Sequence, residues 1–273
     1  MKVHMCKNIK VVSWNVNGLR ACFGHGGLEV LDSLNPDIIC LQEIKLSKDS
    51  LSVLEKNFFK QYHLFYSLSE RKGRNGVLIA SKLPVIDDCY SIGMKEFDLQ
   101  GRFVMIKLTN GLQVINLYMP HGKRDKSELE YKLKVFAFFS AYLKKNASSA
   151  IICTDFNIAH TELDLARPKN NLNNIMFTEN ERQAVDQLIQ SGYCDITRSF
   201  YKGTGHFTWW PYAYDAWNKN IGWRIDYFFV NEAIKKYIKS VEILRNIRCS
   251  DHCPIILNMT DPSNIIANGV PLL

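Results

Sequence analysis

Residues 223–230 read W-R-I-D-Y-F-F-V, and residues 250–254 read S-D-H-C-P. In the first stretch Asp226 stands among Ile225, Tyr227, Phe228, Phe229 and Val230, the pattern of a buried strand carrying one carboxylate. A carboxylate so placed is unfavourable unless it has a partner. The second stretch offers one, because Asp251-His252 stands just before another apolar strand, 254–257. An Asp that fixes a His, with other carboxylates nearby, is equipment for acid–base or metal-assisted hydrolysis.

Upstream of this pair, period-two and apolar runs predict strands at 10–14, 37–41, 62–68, 76–80, 103–108, 112–119 and 150–154. Later strands are expected at 207–210, 225–230, 241–244 and 254–259. A short helix over 28–34 is stopped by Asn35-Pro36. The clearest helix spans 125–145, with Asp125 and Glu128 as a capping box and Leu129, Leu133, Phe136, Phe139 and Leu143 as its buried stripe. Another starts at Thr178 with Glu181 as its box, buries Val185, Leu188 and Ile189, and ends by Gly192. The triplet I-I-C occurs at 38–40 and 151–153, but no convincing sequence repeat surrounds it. Many strands, few long helices and both hairpin and crossover connections predict an α+β domain of two packed sheets with helices outside. One domain over residues 1–260 is expected, with a patternless tail at 261–273.

Several strands end on residues that chemistry can use: Asn15, Glu43, Asp155 with Asn157, and Asp251 with His252. Strand ends hold side chains rigidly while leaving them open to a ligand. Singly, each has a bland reading. Glu43 suits a solvated strand end, Asn15 and Asn157 suit turns, Asp155 and Asp251 suit caps, and His252 suits a satisfied structural histidine. Asp226 resists that reading because it lies within its strand, and the bland reading must hold at every position at once. Carboxylates gathered at one edge repel one another and favour a hard divalent cation, Mg²⁺ or Mn²⁺.

Lys plus Arg outnumber Asp plus Glu by 34 to 27, a net charge of +7 that tilts modestly towards polyanionic partners. Eight cysteines show no C-x-x-C pair, and Cys40 and Cys153 sit in apolar runs. The first ten residues lack an apolar leader core, so reduced thiols and a cytoplasmic location are expected. Cys249, His252 and Cys253 lack a second ligand pair for zinc. No run reaches the roughly 18 apolar residues of a membrane helix. Four of the five tryptophans, Trp209, Trp210, Trp217 and Trp223, lie with Tyr212 and Tyr214 in one loop-rich stretch. Core packing is the dull reading of these rings, and stacking on nucleic acid or lining a sugar pocket the sharper one. Lys72, Arg74, Lys123, Arg124 and Lys126 supply basic loops for phosphates, or merely a solvated face.

The ordered set S-W-N-V-N-G-L-R, L-Q-E-I-K, N-L-Y-M-P, D-F-N-I-A-H, G-W-R-I-D-Y and S-D-H-C-P-I resembles the exonuclease III-type abasic-site (AP) endonucleases of the endonuclease/exonuclease/phosphatase superfamily. The likeness runs from about Ile9 to Met259. It implies a DNase-like four-layer αββα sandwich and Mg²⁺-dependent cleavage of double-stranded DNA 5′ to abasic sites by a monomer. Processing of blocked 3′ ends and 3′→5′ exonuclease activity are implied as well. By the same resemblance Glu43 is the principal metal ligand, with Asn15 and Asp251 beside it. Asp155 handles a proton on the attacking water or leaving oxygen, and Asn157 orients it. His252 with Asp226 contacts the scissile phosphate, Tyr118 binds phosphate, and His121 stands near it. Trp209, Trp223 and Ile225 line the pocket for a flipped abasic sugar, with Arg224 beside them facing the DNA.

The chain departs from the family pattern at Thr154, where Gly is usual, and at His121, Gln100 and the segment Tyr214-Asp215-Ala216-Trp217. The last loses a basic group and gains an acid, which bears on DNA affinity. Two other readings stay open: a hydrolase of the same scaffold acting on phosphoinositides, sphingomyelin or intact DNA, and a non-catalytic DNA-binding module.

Overall fold

The computed structural model describes residues 8–262. Among them lie twelve strands: β1 (Asn8–Asn15), β2 (Ile38–Gln42), β3 (His63–Ser67), β4 (Val77–Ser81), β5 (Val85–Cys89), β6 (Phe103–Leu108), β7 (Gln113–Tyr118), β8 (Ala150–Asp155), β9 (Tyr193–Asp195), β10 (Asp226–Asn231), β11 (Ile238–Ile243) and β12 (Ile255–Thr260). They form two six-stranded sheets, ordered β11-β12-β1-β2-β4-β3 and β5-β6-β7-β8-β10-β9. Only β1–β2 and β7–β8 are parallel pairs; every other pair is antiparallel.

The two orders are the same order. Each strand of one sheet corresponds to the strand six further along, or six earlier, in the other. The two I-I-C triplets fall on the corresponding strands β2 and β8. The repeat that is invisible in residue identity is thus complete in topology.

Side chains alternate across each strand. Val11, Ile38 and Cys40 of one sheet meet Val114, Ile151, Cys153, Phe228 and Val230 of the other in a shared core. On the far side of the first sheet, Val12, Trp14, Ile39 and Leu41 pack under Leu19, Leu31 and Leu51 of the helices Leu19–Gly24, Gly27–Leu34 and Lys48–Asn57. Outside the second sheet, Ile115, Leu117, Ile152 and Phe229 pack under Phe136, Phe139 and Leu143 of the helix Leu129–Asn146 and Val185 and Leu188 of the helix Glu179–Gln190. The layers run helix, sheet, sheet, helix, the expected αββα sandwich.

Several expectations need correction. The long helix begins at Leu129, not 125, because the Asp125 carboxylate accepts from the Ser127 amide at 3.1 Å and hydroxyl at 2.8 Å and closes a turn instead. Its buried stripe takes in Lys132 and Val135, while Leu129 and Leu133 are only half-buried. Thr178 and Glu181 do form a capping box, but Ile189 is exposed. Residues 207–210 form no strand; Trp209 makes isolated bridges to Trp223 and His252. The edge strand β5, V-I-D-D-C, escapes detection because its exposed acids blunt the apolar alternation. Expectations for Cys6, the leader and residues 263–273 of the tail lie outside the described residues. Among the described residues no helix is long and apolar enough to cross a membrane.

A polar lock joins the sheets below the end where β2 and β7 finish. Asn116 Nδ2 donates to the carbonyls of Leu41 at 2.9 Å and Leu78 at 2.8 Å, and its Oδ1 accepts from Gln42 Nε2 at 2.7 Å. All of this is buried, so each group stripped of a partner carries a desolvation penalty. Asn116→Leu keeps the volume and removes the bonds. We expect a loss of about 2–3 kcal/mol, read as a lower denaturant midpoint at unchanged slope. An unchanged midpoint would show that the lock contributes nothing.

Candidate active site

The topology decides where the polar residues go. β10 runs antiparallel to β8 and β12 antiparallel to β1, so the starts of β10 and β12 lie beside the ends of β8 and β1. Asn15 ends β1, Glu43 follows β2, Tyr118 ends β7, Asp155 ends β8, Asp226 begins β10, and His252 precedes β12. Most of the polar residues singled out in the sequence therefore meet at one rim of the sandwich.

Asp155 and Asp226 are direct partners across the β8–β10 ladder. Like charges so opposed are destabilising without a counter-charge, and His252 supplies it. Its Nδ1 lies 2.9 Å from Asp226 Oδ2, and its Nε2 lies 3.9 Å from Asp155 Oδ2. Thr208 Oγ1 also donates to Asp226 Oδ2, at 2.5 Å. Asp155 accepts from Asn15 Nδ2 at 2.8 Å and from the Asn157 amide at 2.8 Å. Burial, then the Asp226 charge, pushes the Asp155 carboxyl up to about 7 against the pull of His252. Burial disfavours a charged His252, yet Asp226 by charge and hydrogen bond, with Asp155 behind it, raises the imidazole to about 10. At neutral pH the ring is therefore an imidazolium with both nitrogens protonated.

A second corner gathers around Glu43, which holds a left-handed backbone at φ 51°. The turn is fastened by the Gly18 amide donating to its carbonyl at 2.7 Å and by Ile44 donating to Gly76 at 3.0 Å. Glu43 accepts from Asn15 Nδ2 at 3.1 Å and pairs with Lys45 Nζ at 2.9 Å, and the Tyr118 hydroxyl also bonds it. Burial works against ionisation here, but Lys45, Tyr118 and Asn15 together hold the carboxyl below its usual range. Asn17 Oδ1 accepts from Lys45 Nζ, and Asn17 Nδ2 donates to Asp251 Oδ1 at 3.0 Å. The Lys45 ammonium demonstrates that this corner accommodates positive charge, and its side-chain oxygens suit a hard divalent cation.

Two cation positions compete on these grounds. Asp155, Asp226 and His252 are the one group of three such residues close enough to share an ion among the described residues. They already satisfy one another, whereas Glu43 keeps 18% of its side chain exposed beside Lys45. Hydrogen bonds link the three residues expected to share the metal. Asn15 bridges Glu43 and Asp155 with its amide nitrogen while its oxygen accepts from the Asn17 amide, and Asp251 connects to the corner through Asn17.

Beside the Asp226–His252 pair lies an apolar cluster, joined to it by the Trp209–His252 bridge. Ile225 packs with Ile175 and Met176, and Trp209, Trp223 and Leu129 close around them. Trp209 also donates Nε1 to Asp251 Oδ2 at 3.1 Å, tying the cluster to the acidic corner. Ile175 and Met176 were not foreseen, since loop hydrophobes carry no periodicity, and Leu129 was expected only in the stripe of its helix. His121 is half-buried, with burial and then Lys132 lowering its pKa. Of the aromatic stretch, Trp210 is core, stacked on Trp217 at 4.2 Å, and Gly222 is required because a Cβ there would stand 2.4 Å from Trp210 Nε1. Tyr212 and Tyr214 are 79% and 87% exposed. Gln100, at one departure, accepts from Arg102 Nε at 2.8 Å, and that guanidinium lies 4.5 Å from the Tyr118 ring. Thr154, at another, is buried with no partner for its hydroxyl. A cleft of about 490 Å³ lined by Arg71, Arg74, Gln100 and Arg102 opens on this side.

Arg224 is a correction. It was expected to face DNA, but it is buried and its guanidinium is bound by Asp164 at 2.6 Å and Asp195 at 2.7 Å. A charge so enclosed braces the cluster from behind and reaches no solvent.

Residues 12–252 match the Endonuclease/Exonuclease/phosphatase family. The chain is 35% identical to the exodeoxyribonuclease of Bacillus subtilis, over 91% of this chain and 98% of that protein. It is likewise 35% identical to the DNA repair nuclease APEX1 of Danio rerio, over 92% of this chain and 82% of that protein. An AP endonuclease structure from Archaeoglobus fulgidus superposes with a TM-score of 0.82 at 28% identity, covering 93% of this chain and 99% of the other.

The Arg224 brace has a pH signature. Burial alone would raise the Asp164 carboxyl, but Arg224 and then Arg198 hold it below its usual range. A depressed folded-state pKa contributes stability that is complete above the unfolded value and is lost as pH falls through the folded one. Asp164→Asn should therefore cost about 3–5 kcal/mol at neutral pH, with the gap to the parent closing below about pH 4. Chemical denaturation across pH measures it; a gap independent of pH would contradict the ionic account.

Proposed function

The chain belongs to the endonuclease/exonuclease/phosphatase family, and from that membership we propose that it is a DNA-repair nuclease hydrolysing the phosphodiester 5′ to abasic sites in duplex DNA. Processing of blocked 3′ ends and 3′→5′ exonuclease action belong to the same reading, in keeping with the relative named an exodeoxyribonuclease. The observation that carries it is the buried cluster of His252, Asp226 and Asp155 standing beside the apolar side chains of Trp209, Trp223 and Ile225.

A phosphodiester resists attack because its anion repels nucleophiles. His252 Nε2–H, oriented by Asp226, neutralises charge as it builds on the phosphate oxygens. Asp155, held by Asn15 and the Asn157 amide, takes the proton of the attacking water or passes one to the leaving oxygen. Tyr118 and His121 flank the phosphate. Glu43, with Asn15 and Asp251 alongside, would hold a divalent cation, Mg²⁺ or Mn²⁺, which would supply charge neutralisation. An abasic nucleotide has no base to unstack, so a close apolar slot of Trp209, Trp223 and Ile225 selects it. Arg71, Arg74, Lys72 and Arg124 offer charge to the duplex, and exposed Tyr212 and Tyr214 offer stacking faces. The described cysteines are free thiols, which suits a single-domain monomer working in the reducing cytoplasm.

Asp155→Asn, His252→Ala and Glu43→Ala should each lower cleavage of abasic duplex by roughly 10²–10⁴-fold with circular dichroism retained, and His252→Ala, which leaves Asp155 and Asp226 without their counter-charge, should also melt below the parent. Near-parent rates in Mg²⁺ would refute the assignment. Faster turnover of a phosphoinositide or sphingomyelin than of abasic duplex would transfer the site to another substrate. Tight binding of abasic DNA with no cleavage would leave a binding module.

A further inference from the structure

Lys132 stands on the otherwise apolar face of the helix Leu129–Asn146, and its side chain is 0% exposed. An ammonium has three donors and no acceptor. Here each proton has a destination: Glu181 Oε1 at 2.6 Å, the Asn157 carbonyl at 2.7 Å and the His121 carbonyl at 3.3 Å. Glu181, equally buried, is just as fully used. Its Oε1 also accepts from the Met176 amide at 3.1 Å, and its Oε2 accepts from the Thr178 amide at 3.0 Å and hydroxyl at 2.8 Å. Nothing on either side chain remains for a substrate.

The loops so joined surround the site. Asn157 lies two residues after Asp155 and donates its amide to that carboxylate. His121 follows the Tyr118-Met119-Pro120 segment. Met176, with Ile175, packs against Ile225, Trp209 and Trp223 in the apolar cluster. Asn157 and Met176 both hold left-handed backbones, φ 52° and 71°, a conformation that a methionine keeps only when its surroundings enforce it. Gly122, at φ 93°, completes the junction, since a Cβ there would stand 2.7 Å from Ile175 Cδ1 and 3.4 Å from Lys132 Cδ.

Stability alone does not explain two ions in this place. Apolar side chains of similar volume often stabilise an interior as well as a buried ion pair does, or better. What apolar atoms cannot do is fix three separate backbone segments at hydrogen-bond distance from one point. We propose that Lys132 and Glu181 are a positioning pair that locks the Asp155–Asn157 turn to the Ile175–Met176 segment, so that one fixed spacing between proton-handling carboxylate and apolar cluster sets the preference for a baseless sugar over an intact nucleotide. The proposal rests on the abasic-DNA reading above.

Lys132→Met/Glu181→Met replaces the pair by apolar chains of similar length and removes both charges together. The double variant leaves the Met176 and Thr178 amides and the Asn157 and His121 carbonyls without these partners, so it should melt below the parent while keeping its circular dichroism. Its kcat on a duplex with one abasic site should fall by about 10²-fold, while nucleotide release from an intact 3′ end falls far less. The ratio of the two activities is the readout that a purely structural role would leave alone. Glu181→Gln keeps the length and loses the charge and one acceptor, so an intermediate fall of roughly tenfold in that ratio is expected. It decides the matter if the double variant does not fold. Folded variants that keep the parental ratio, beside a parent that prefers abasic DNA, overturn the coupling only. A parent with no such preference overturns the abasic reading and the coupling with it.

Discussion

Two carboxylates, Asp155 and Asp226, face each other across adjacent strands in the dry interior, with a single imidazole between them. Neither acid is tolerable there alone. Together they repel, and burial raises the energy of each charge. His252 makes the arrangement possible by carrying a positive charge that its own burial opposes. The strand that delivers His252 belongs to one sheet and the strands that carry the two acids belong to the other. The chemistry therefore exists only while the sandwich is closed. That dependence gives a physical reason for the inter-sheet lock of Gln42 and Asn116 directly below.

The matched strand orders add a second level. Both halves have the same wiring, yet their corresponding rim positions have diverged. Where β1 ends on Asn15, β7 ends on Tyr118; where Gly101 precedes β6, His252 precedes β12. A twofold scaffold thus presents an asymmetric set of groups, a carboxylate with Lys45 at Glu43, a carboxylate pair with His252 at Asp155, and apolar side chains around Ile225. Glu43, Asn157 and Met176, three of the left-handed residues that are not glycine, lie here, and each is anchored by hydrogen bonds from a neighbouring segment.

Much of this was legible in the chain itself. Asp226 could be singled out because a carboxylate inside an apolar strand requires a partner, and His252 was the partner. The strand ends carrying Asn15, Glu43 and Asp155 were readable for the same reason, as polarity appearing where apolar runs stop. What escaped was whatever depended on distant segments. Arg224 looked exposed beside a tryptophan because its acids, Asp164 and Asp195, lie far off in sequence. Lys132 and Glu181 look like ordinary charges on amphipathic helices until both helices are packed. Asp125 could cap a helix or close a local turn, and only the backbone of residues 123–128 decides. Ile175 and Met176 sit in a loop whose apolar character follows no period.

The claim most exposed to test is that one rim of the sandwich hydrolyses DNA beside a missing base with the help of a divalent cation. A duplex carrying one abasic site, labelled at its 5′ end and incubated with Mg²⁺ or with EDTA, resolves the cut to the nucleotide. The account predicts a single incision immediately 5′ of the abasic sugar, leaving a 3′-hydroxyl and abolished by EDTA. Incision on the 3′ side, or cleavage indifferent to EDTA, would contradict it.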